Sequence, residues 1–257
     1  MRSSRLQALS GYTVMLLALG FVGMLYTAFA APPSNAADAQ GTEQSIAVKA
    51  GRELYLQGCS TCHGLNMQGG SGGPSLLGVG SAAVVFQVES GRMPLAAGVA
   101  QAPRKKAKYT PAEIDQLAAY VGSKGGGPSL PAGSLNDGDL ALGGELFRTN
   151  CASCHNFAGS GGALTYGKYA PPLTASSARE IYSAMLSGPE NMPRFSDNQL
   201  TPKDKQAVVR YVQFITSSSQ PGGNDLGRYG PVPEGLVIWL VGITALVGLS
   251  LWIGARA

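Results

Sequence analysis

Two short stretches decide how this chain is interpreted: Cys59-Ser60-Thr61-Cys62-His63 and Cys151-Ala152-Ser153-Cys154-His155. Each is a C-x-x-C-H motif, the pattern for covalent attachment of a c-type haem. The two thiols add to the two vinyl groups of one porphyrin, and the histidine that follows supplies an axial imidazole to the iron. The motifs use all four cysteines and both histidines of the chain. They predict two covalently bound haem c groups.

Three other uses of the cysteines need to be weighed. One structural zinc could be held by four thiolates, but the pairs lie 92 residues apart and the histidines would have no role. A thioredoxin-like redox pair would lie in a βαβ context, which the pattern does not show. Structural disulfides suit an exported protein, but a two-residue gap makes an awkward ring. Haem attachment is therefore favoured over all three.

An internal repeat surrounds the two motifs. Residues 51–59 (GRELYLQGC) align with residues 143–151 (GGELFRTNC) at an offset of 92, and residues 110–121 align with residues 201–212 at an offset of 91. The second pair of segments begins with Thr-Pro and has an acidic residue at the third helical position, which is typical of a helix start. Apolar residues at helical spacing follow. Each copy therefore predicts a helix, the motif, loops and a second helix.

This order resembles the class I cytochrome c fold, whose N- and C-terminal helices cross and close a haem pocket. The resemblance implies a mainly α protein with two tandem cytochrome c domains. The first covers residues 45–123 and is called repeat 1; the second covers residues 138–218 and is called repeat 2. Residues 124–137, rich in Gly and Pro, form the predicted linker between them.

A low-spin haem that carries electrons needs a second axial ligand, and with both histidines used the usual choice is a Met thioether. Met93 and Met192 each follow a Ser-Gly, precede a Pro, and lie 30 and 37 residues past their histidine. The repeat aligns them, so we predict that they ligate the two irons. Met67 lies too close to His63 to reach the opposite face of the ring, and Met185 is expected to pack in the core.

Two further features of the repeats have alternatives. Pro74 and Pro172 match in the repeat, and in cytochromes c a proline of this loop commonly accepts a hydrogen bond from the proximal imidazole, which implies that role here; a simple turn is the alternative. The basic cluster at residues 104–108 lies in a segment present only in repeat 1. It would either dock an acidic partner or form a solvated loop.

Both ends of the chain are apolar. In residues 1–31, the run from Tyr12 to Ala31 is long enough to span a bilayer, but Ala28-Phe29-Ala30 also fits a signal-peptide cleavage site. A retained anchor is favoured over a cleaved signal, and residues 32–44 are predicted to form a flexible linker.

At the other end, a linker at 219–234 leads into residues 235–254, which are uncharged and predict a transmembrane helix. Trp239 and Trp252 suit the interfacial aromatic belt. The positive-inside rule places Arg256, and with it Arg2 and Arg5, in the cytoplasm. The repeats are then extracytoplasmic, and the chain has two spans in the cell membrane.

Composition agrees with small domains built around a prosthetic group. The chain has 36 Gly and 16 Pro, and only 13% of its residues are charged. The formal net charge is +4, but residues 31–234 hold 16 basic against 15 acidic residues. This balance gives no reason to expect a nucleic-acid partner.

The resemblance becomes more specific at four segments: residues 101–105 (QAPRK), 150–157 (NCASCHNF), 167–171 (GKYAP) and the lead 230–235 (GPVPEG) into a WIGAR tail. With the two repeats, they resemble the dihaem cytochrome c subunit of the actinobacterial quinol–cytochrome c reductase, the cytochrome bc complex.

That family implies a subunit that takes electrons from a Rieske iron–sulfur protein through two haems to cytochrome c oxidase, in a supercomplex with a cytochrome b subunit. The chain alone would be an electron carrier, and an enzyme only as part of a proton-translocating oxidoreductase. Two alternatives remain: a dihaem subunit of another respiratory oxidase or dehydrogenase, and a zinc-stapled interaction module.

Overall fold

The computed structural model describes residues 3–29, 36–217 and 231–256. It is mainly helical and separates into two compact bodies, residues 1–44 and residues 45–257. The helices of the described part are α1 (Ser3–Phe29), α2 (Ala36–Gly58), α3 (Ser60–His63), α4 (Gly80–Glu89), α5 (Pro111–Gly122), α6 (Leu140–Asn150), α7 (Ala152–His155), α8 (Ala178–Ser187), α9 (Pro202–Ser217) and α10 (Pro231–Gly254). Strands β1 (Gly162–Ala163) and β2 (Tyr169–Ala170) pair antiparallel around a 3₁₀ turn, Thr165–Gly167.

The predicted helix starts of the repeat are confirmed. Thr110 caps α5: its side chain accepts from Glu113 N, and the Glu113 carboxylate accepts from Thr110 N at 2.8 Å. At the start of α9, Thr201 N donates to Asp204 Oδ2 at 2.8 Å, and Asp204 N donates to Thr201 Oγ1 at 3.3 Å. These reciprocal bonds satisfy backbone donors that the first turn of a helix leaves free.

The first and last helices of each repeat cross in close contact at a glycine. A Cβ on Gly51 of α2 would lie 1.9 Å from Gln116 O of α5, and a Cβ on Gly143 of α6 would lie 2.0 Å from Ala207 O of α9. Only a residue without a side chain allows this approach of two backbones. The repeat therefore preserves the crossing as well as the motif, and the predicted cytochrome c fold is confirmed.

Each repeat has its own apolar core. Tyr55, Ile114 and Leu117 are buried in repeat 1, and Phe147 and Val208 are buried in repeat 2. The linker residue Leu130 packs against both cores, so this segment does more than tether the repeats.

Two predicted linkers are shorter than expected. Helix α2 begins at Ala36, inside the stretch 32–44 that we predicted to be flexible. The helix-forming run Ala-Ala-Asp-Ala-Gln favours this earlier start. Helix α10 begins at Pro231 rather than at 235, and proline is well suited to the first turn of a helix. Residues 218–230 lie outside the described part.

The C-terminal apolar helix is confirmed. Among the described residues, Val232–Gly254 is the one helix long and apolar enough to cross a membrane. The apolar part of α1, Tyr12–Thr27, is shorter. The structure thus supports membrane association through α10, while the second span stays a prediction.

Candidate haem sites

Both C-x-x-C-H motifs form a short helical turn at the end of the first helix of their repeat. Cys59 precedes α3 and Cys151 precedes α7, and His63 N and His155 N donate to the carbonyls of these cysteines at 3.0 and 2.9 Å. The first cysteine of each pair is half-buried and the second is exposed. A helical turn brings residues three and four apart onto one face. Both thiols and the imidazole of each motif are therefore grouped locally.

The four cysteines are free, and the two pairs lie in different repeats. Within the described part of the chain, no group of three or more His, Cys, Asp and Glu side chains is arranged to hold a metal ion. The alternative of one zinc ion bound by all four thiolates therefore has no geometric support.

A backbone carbonyl orients each histidine ring. His63 Nδ1 lies 2.8 Å from Pro74 O, as predicted, and His155 Nδ1 lies 3.1 Å from Pro171 O. A ring that donates from Nδ1 leaves the Nε2 lone pair free for a metal, and carbonyl partners of this kind fix the ring orientation.

The prediction of Pro172 for this role is wrong by one residue. Two equivalent hydrogen bonds give the correct alignment of this loop in the two repeats: Leu76 N donates to Met67 O and Leu173 N donates to Gly159 O, each at 2.8 Å. Met67 and Gly159 both lie four residues past their histidine. The matching proline stands two residues before the leucine, which selects Pro171. The hairpin β1–β2 lengthens this loop in repeat 2 and obscures the alignment.

Repeat 2 encloses a cavity of about 920 Å³ beside its motif. Its lining includes Cys151, Cys154, His155, Pro171 and Met192. Two thiols, an imidazole and a thioether are the donor set that a c-type haem requires. The cavity is also mostly apolar in its walls, which include Phe147 and Val208, and its size is typical of a ligand or cofactor site. The residues present therefore fit a haem c group.

The two predicted methionine ligands are half-buried, each after a helix of its repeat. Met192 lines the cavity of repeat 2, and its N–H donates to Pro189 O at 2.9 Å. Met93 packs against the core of repeat 1, and its N–H donates to Gln87 O at 2.9 Å. Met67 and Met185 are 1% and 2% exposed and belong to the two cores, which for Met185 agrees with its predicted packing role. Ligation by Met93 and Met192 stays a prediction.

Burial favours the neutral form of three of the donor groups, Cys59, Cys151 and His155. It raises the pKa of the Cys151 thiol to about 12, to which the neighbouring Cys154 adds, and it also raises the pKa of Cys59. Burial lowers the pKa of His155, against the smaller opposing effect of its bond to Pro171 O. The neutral imidazole is the form that binds a metal.

Repeat 1 contributes part of the cavity of repeat 2, which the sequence did not predict. Phe86, Arg92, Gln101 and Arg104 line this cavity together with the residues of repeat 2. The segment of residues 95–109, present only in repeat 1, reaches across to repeat 2. Residues 91–94 (GRMP) and the basic cluster at residues 104–108 are evident in the sequence. Nothing in either segment indicates which repeat its side chains would face.

Paired hydrogen bonds hold this segment in place. Gln101 Nε2 donates to Tyr169 O at 2.7 Å, and Tyr169 N donates back to Gln101 Oε1 at 3.1 Å. Arg104 Nη2 lies 2.8 Å from both carboxylate oxygens of Glu180, a residue that is only 2% exposed. Arg104 is thus partly exposed but already paired with a carboxylate of repeat 2, whereas Lys106 and Lys108 are exposed.

Comparisons with known proteins agree with this geometry. The family described as cytochrome c oxidase, cbb3-type, subunit III matches residues 46–121 and 138–212. The chain is 47% identical over 258 residues to the cytochrome bc1 complex cytochrome c subunit of Mycobacterium tuberculosis (strain ATCC 25618 / H37Rv), covering 97% of this chain and 91% of that protein. The subunit of the same name from Corynebacterium efficiens is 45% identical over 269 residues, covering 98% and 90%. A cbb3-type cytochrome c oxidase subunit FixP of Rhizobium meliloti is 32% identical over 127 residues, covering 44% and 40%.

Proposed function

Since the chain belongs to the family of cytochrome bc1 complex cytochrome c subunits, we propose that it carries electrons as the dihaem subunit of a membrane-bound quinol–cytochrome c reductase. The observation that carries this proposal is the duplicated site. Each repeat presents two thiols on a helical turn and an imidazole held by a proline carbonyl. The domains are proposed at residues 45–123 and 138–218.

Eight side chains would hold the two haems. Cys59 and Cys62 bind one porphyrin and Cys151 and Cys154 bind the other. His63 and His155 would each supply an imidazole to a haem iron, and Met93 and Met192 would each supply a thioether. A haem iron held in this way gains and loses one electron without other bonds changing.

The polypeptide itself sets the conditions for that exchange. Pro74 and Pro171 orient the imidazoles, and a thioether opposite a histidine raises the reduction potential. Phe147 is fully buried and gives the cavity of repeat 2 an apolar wall, which excludes water there. The histidines lie on the helical turns α3 and α7, and the two methionines lie on the loops that follow α4 and α8.

The proposed partners follow from the complex in the relatives' names. We expect a Rieske iron–sulfur subunit as electron donor, a cytochrome b subunit in the same membrane complex, and cytochrome c oxidase as acceptor. Helix α10 would anchor the chain with Arg256 in the cytoplasm, which places both haem domains outside. The N-terminal apolar segment would supply a second span.

Two matched double variants test the haem assignment. In Cys59→Ser/Cys62→Ser and in Cys151→Ser/Cys154→Ser, we expect each protein to lose one of two covalent haems, so that the reduced α-band per polypeptide falls by about half. Intact mass of the wild-type chain should show both haems. A wild-type chain with one haem or none would contradict the dihaem assignment.

Affinity purification of the full chain from its native membrane tests the complex. Recovery of a cytochrome b and a Rieske protein would support the proposed function. Recovery of a terminal oxidase with neither of them would instead favour the alternative, an anchored subunit of another oxidase. The match of both repeats to the cbb3-type family gives that alternative its one specific support.

A further inference from the structure

The proposed function leaves one feature of the cavity of repeat 2 unexplained, the side chain of Arg92. Arg92 belongs to repeat 1 but lines the cavity of repeat 2. It is only 7% exposed, and its Nη1 atom has no hydrogen-bond partner among the described residues. An unpaired guanidinium is costly to bury, because its hydration is lost without compensation.

A ring contact and backbone hydrogen bonds hold Arg92 in place. Its guanidinium carbon lies 4.8 Å from the centre of the Phe86 ring, a cation–π contact. The backbone around it is held by hydrogen bonds from Gly91 N to Val88 O at 3.1 Å and from Met93 N to Gln87 O at 2.9 Å. The guanidinium is therefore fixed at the cavity wall and does not need to be rearranged to meet a ligand.

The carboxylates nearby are engaged with other groups. Glu180 binds Arg104, and Glu190 accepts from Ala102 N at 3.0 Å. Within the described residues, Arg92 forms no ion pair within 4.0 Å. Within the described residues, Nη1 of Arg92 is thus left without a hydrogen-bond partner, and a carboxylate held inside the cavity would match the geometry of a guanidinium fork.

A haem attached to Cys151 and Cys154 brings such carboxylates, because its two propionates stand on the porphyrin edge opposite the vinyl groups. On the premise of the proposed function that a second haem is attached there, we propose that Arg92 of repeat 1 binds a propionate of the haem held by repeat 2. A single dipeptide then serves both sites, since Met93, the next residue, is the predicted ligand of the first haem.

This assignment has an electrostatic consequence for the second haem. A guanidinium beside a propionate cancels its negative charge. Without the guanidinium, the propionate stabilises the oxidised iron, which carries one more positive charge, and the reduction potential falls. The cation that tunes the second haem thus belongs to the other repeat.

The test is spectroelectrochemical titration of the purified holoprotein carrying Arg92→Leu, with Arg92→Lys and Lys106→Leu alongside. Lys106→Leu removes an exposed cation from the same region of repeat 1 and is the matched control. A Met192→His variant, which changes the predicted ligand of the second haem, identifies the titration wave of that haem. Intact mass must first show two covalent haems in each protein.

In Arg92→Leu, we expect the wave of the second haem to move to lower potential by at least a tenfold change in its reduction equilibrium, about 59 mV for a one-electron couple. Arg92→Lys should shift it less, and Lys106→Leu should leave it in place. Resonance Raman spectra of Arg92→Leu should also show a displaced propionate bending band.

Two results would overturn the proposal. One is a second-haem wave that does not move in Arg92→Leu. The other is a shift confined to the first haem, which would mean that Arg92 acts only through its neighbour Met93. Failure of the proposed function would look different, because the wild-type chain would then lack the second haem in its intact mass.

Discussion

The two repeats orient their histidines alike, but their middle helices, α4 in repeat 1 and α8 in repeat 2, begin differently. In repeat 2, Ser177 caps α8 and Glu180 completes a capping box. In repeat 1, Val79 precedes α4 and offers no side-chain cap. Instead, Ala82 N of α4 donates to Pro128 O of the linker at 3.1 Å.

This difference shows how two copies of one fold become dependent on each other. The start of α4 in repeat 1 needs the linker, and Gly80 allows the close approach because a Cβ there would lie 2.3 Å from Pro128 O. The start of α8 in repeat 2 has its own cap, but Glu180 in that cap also binds Arg104 of repeat 1. Repeat 1 thus uses the linker to complete the start of α4, whereas the complete cap of α8 in repeat 2 also binds repeat 1.

The largest expected effect tests what the repeats share, the helix crossing. Gly51→Ala and Gly143→Ala should each lower the free energy of unfolding by about 3 kcal/mol or more, because the added methyl group meets a backbone carbonyl that has no space to move. Chemical denaturation of the holoprotein measures this loss.

The neighbouring Gly144→Ala is the control for that crossing. Its Cβ would meet the ring of Tyr211 at 2.9 Å, and a side chain can shift where a backbone cannot. If Gly144→Ala is as harmful as Gly143→Ala, close backbone contact is not the reason for the glycine.

The second prediction tests the asymmetric cap. Glu180→Gln removes the charge that binds Arg104 and weakens the cap of α8, and we expect a loss of about 2 kcal/mol, since a buried hydrogen bond to a charged group is lost. Glu113→Gln, at the same position of the exposed capping box of α5, should cost clearly less. Equal losses in thermal denaturation would mean that the contact between the repeats adds nothing.

The third prediction concerns a hydroxyl that repeat 2 lacks. Tyr55 Oη donates to Gly64 O at 2.6 Å, whereas the aligned residue of repeat 2 is Phe147. Tyr55→Phe should cost about 1 kcal/mol, the net contribution of one hydrogen bond. Tyr120→Phe is a suitable control, because the Tyr120 hydroxyl has no hydrogen bond within the described part of the chain.

The burial of the same hydroxyl predicts a pH dependence. Burial raises the pKa of Tyr55 to about 12, whereas an unfolded tyrosine titrates near 10. The folded state therefore favours the protonated hydroxyl, and its stabilisation is complete below about pH 10 and is lost as the pH rises towards the folded value. The stability difference between the wild type and Tyr55→Phe should shrink over that interval; a difference that stays constant through it would contradict the assignment.

The smallest expected effect is the pH dependence of the α5 cap. Hydrogen bonds from Thr110 lower the pKa of Glu113, so this carboxylate stabilises the fold above its ordinary titration near pH 4 and ceases to do so as the pH falls through its lowered pKa. The melting temperatures of the wild type and of Glu113→Gln should therefore converge in acid. Convergence at neutral pH would show that the cap contributes nothing.

The sequence predicted those parts of the sites that depend on neighbours along the chain. Cys59, Cys62 and His63 share one helical turn, and so do Cys151, Cys154 and His155, which makes the motif sufficient to group them. Thr110 and Thr201 cap their helices because the partner carboxylate is three residues away. Pro171 escaped the alignment by one position because the β1–β2 hairpin changes the loop length between the histidine and the proline.

By itself, the sequence determined the fold class, the two haem motifs, the family and the apolar C-terminal helix, since each rests on periodicity, spacing or similarity along the chain. Only the tertiary structure decided that Arg92 and Arg104 of repeat 1 face the cavity of repeat 2 and that Glu180 receives Arg104. Arg104 and Glu180, for example, lie 76 positions apart along the chain. These contacts depend on how two folded surfaces meet, which no local pattern encodes.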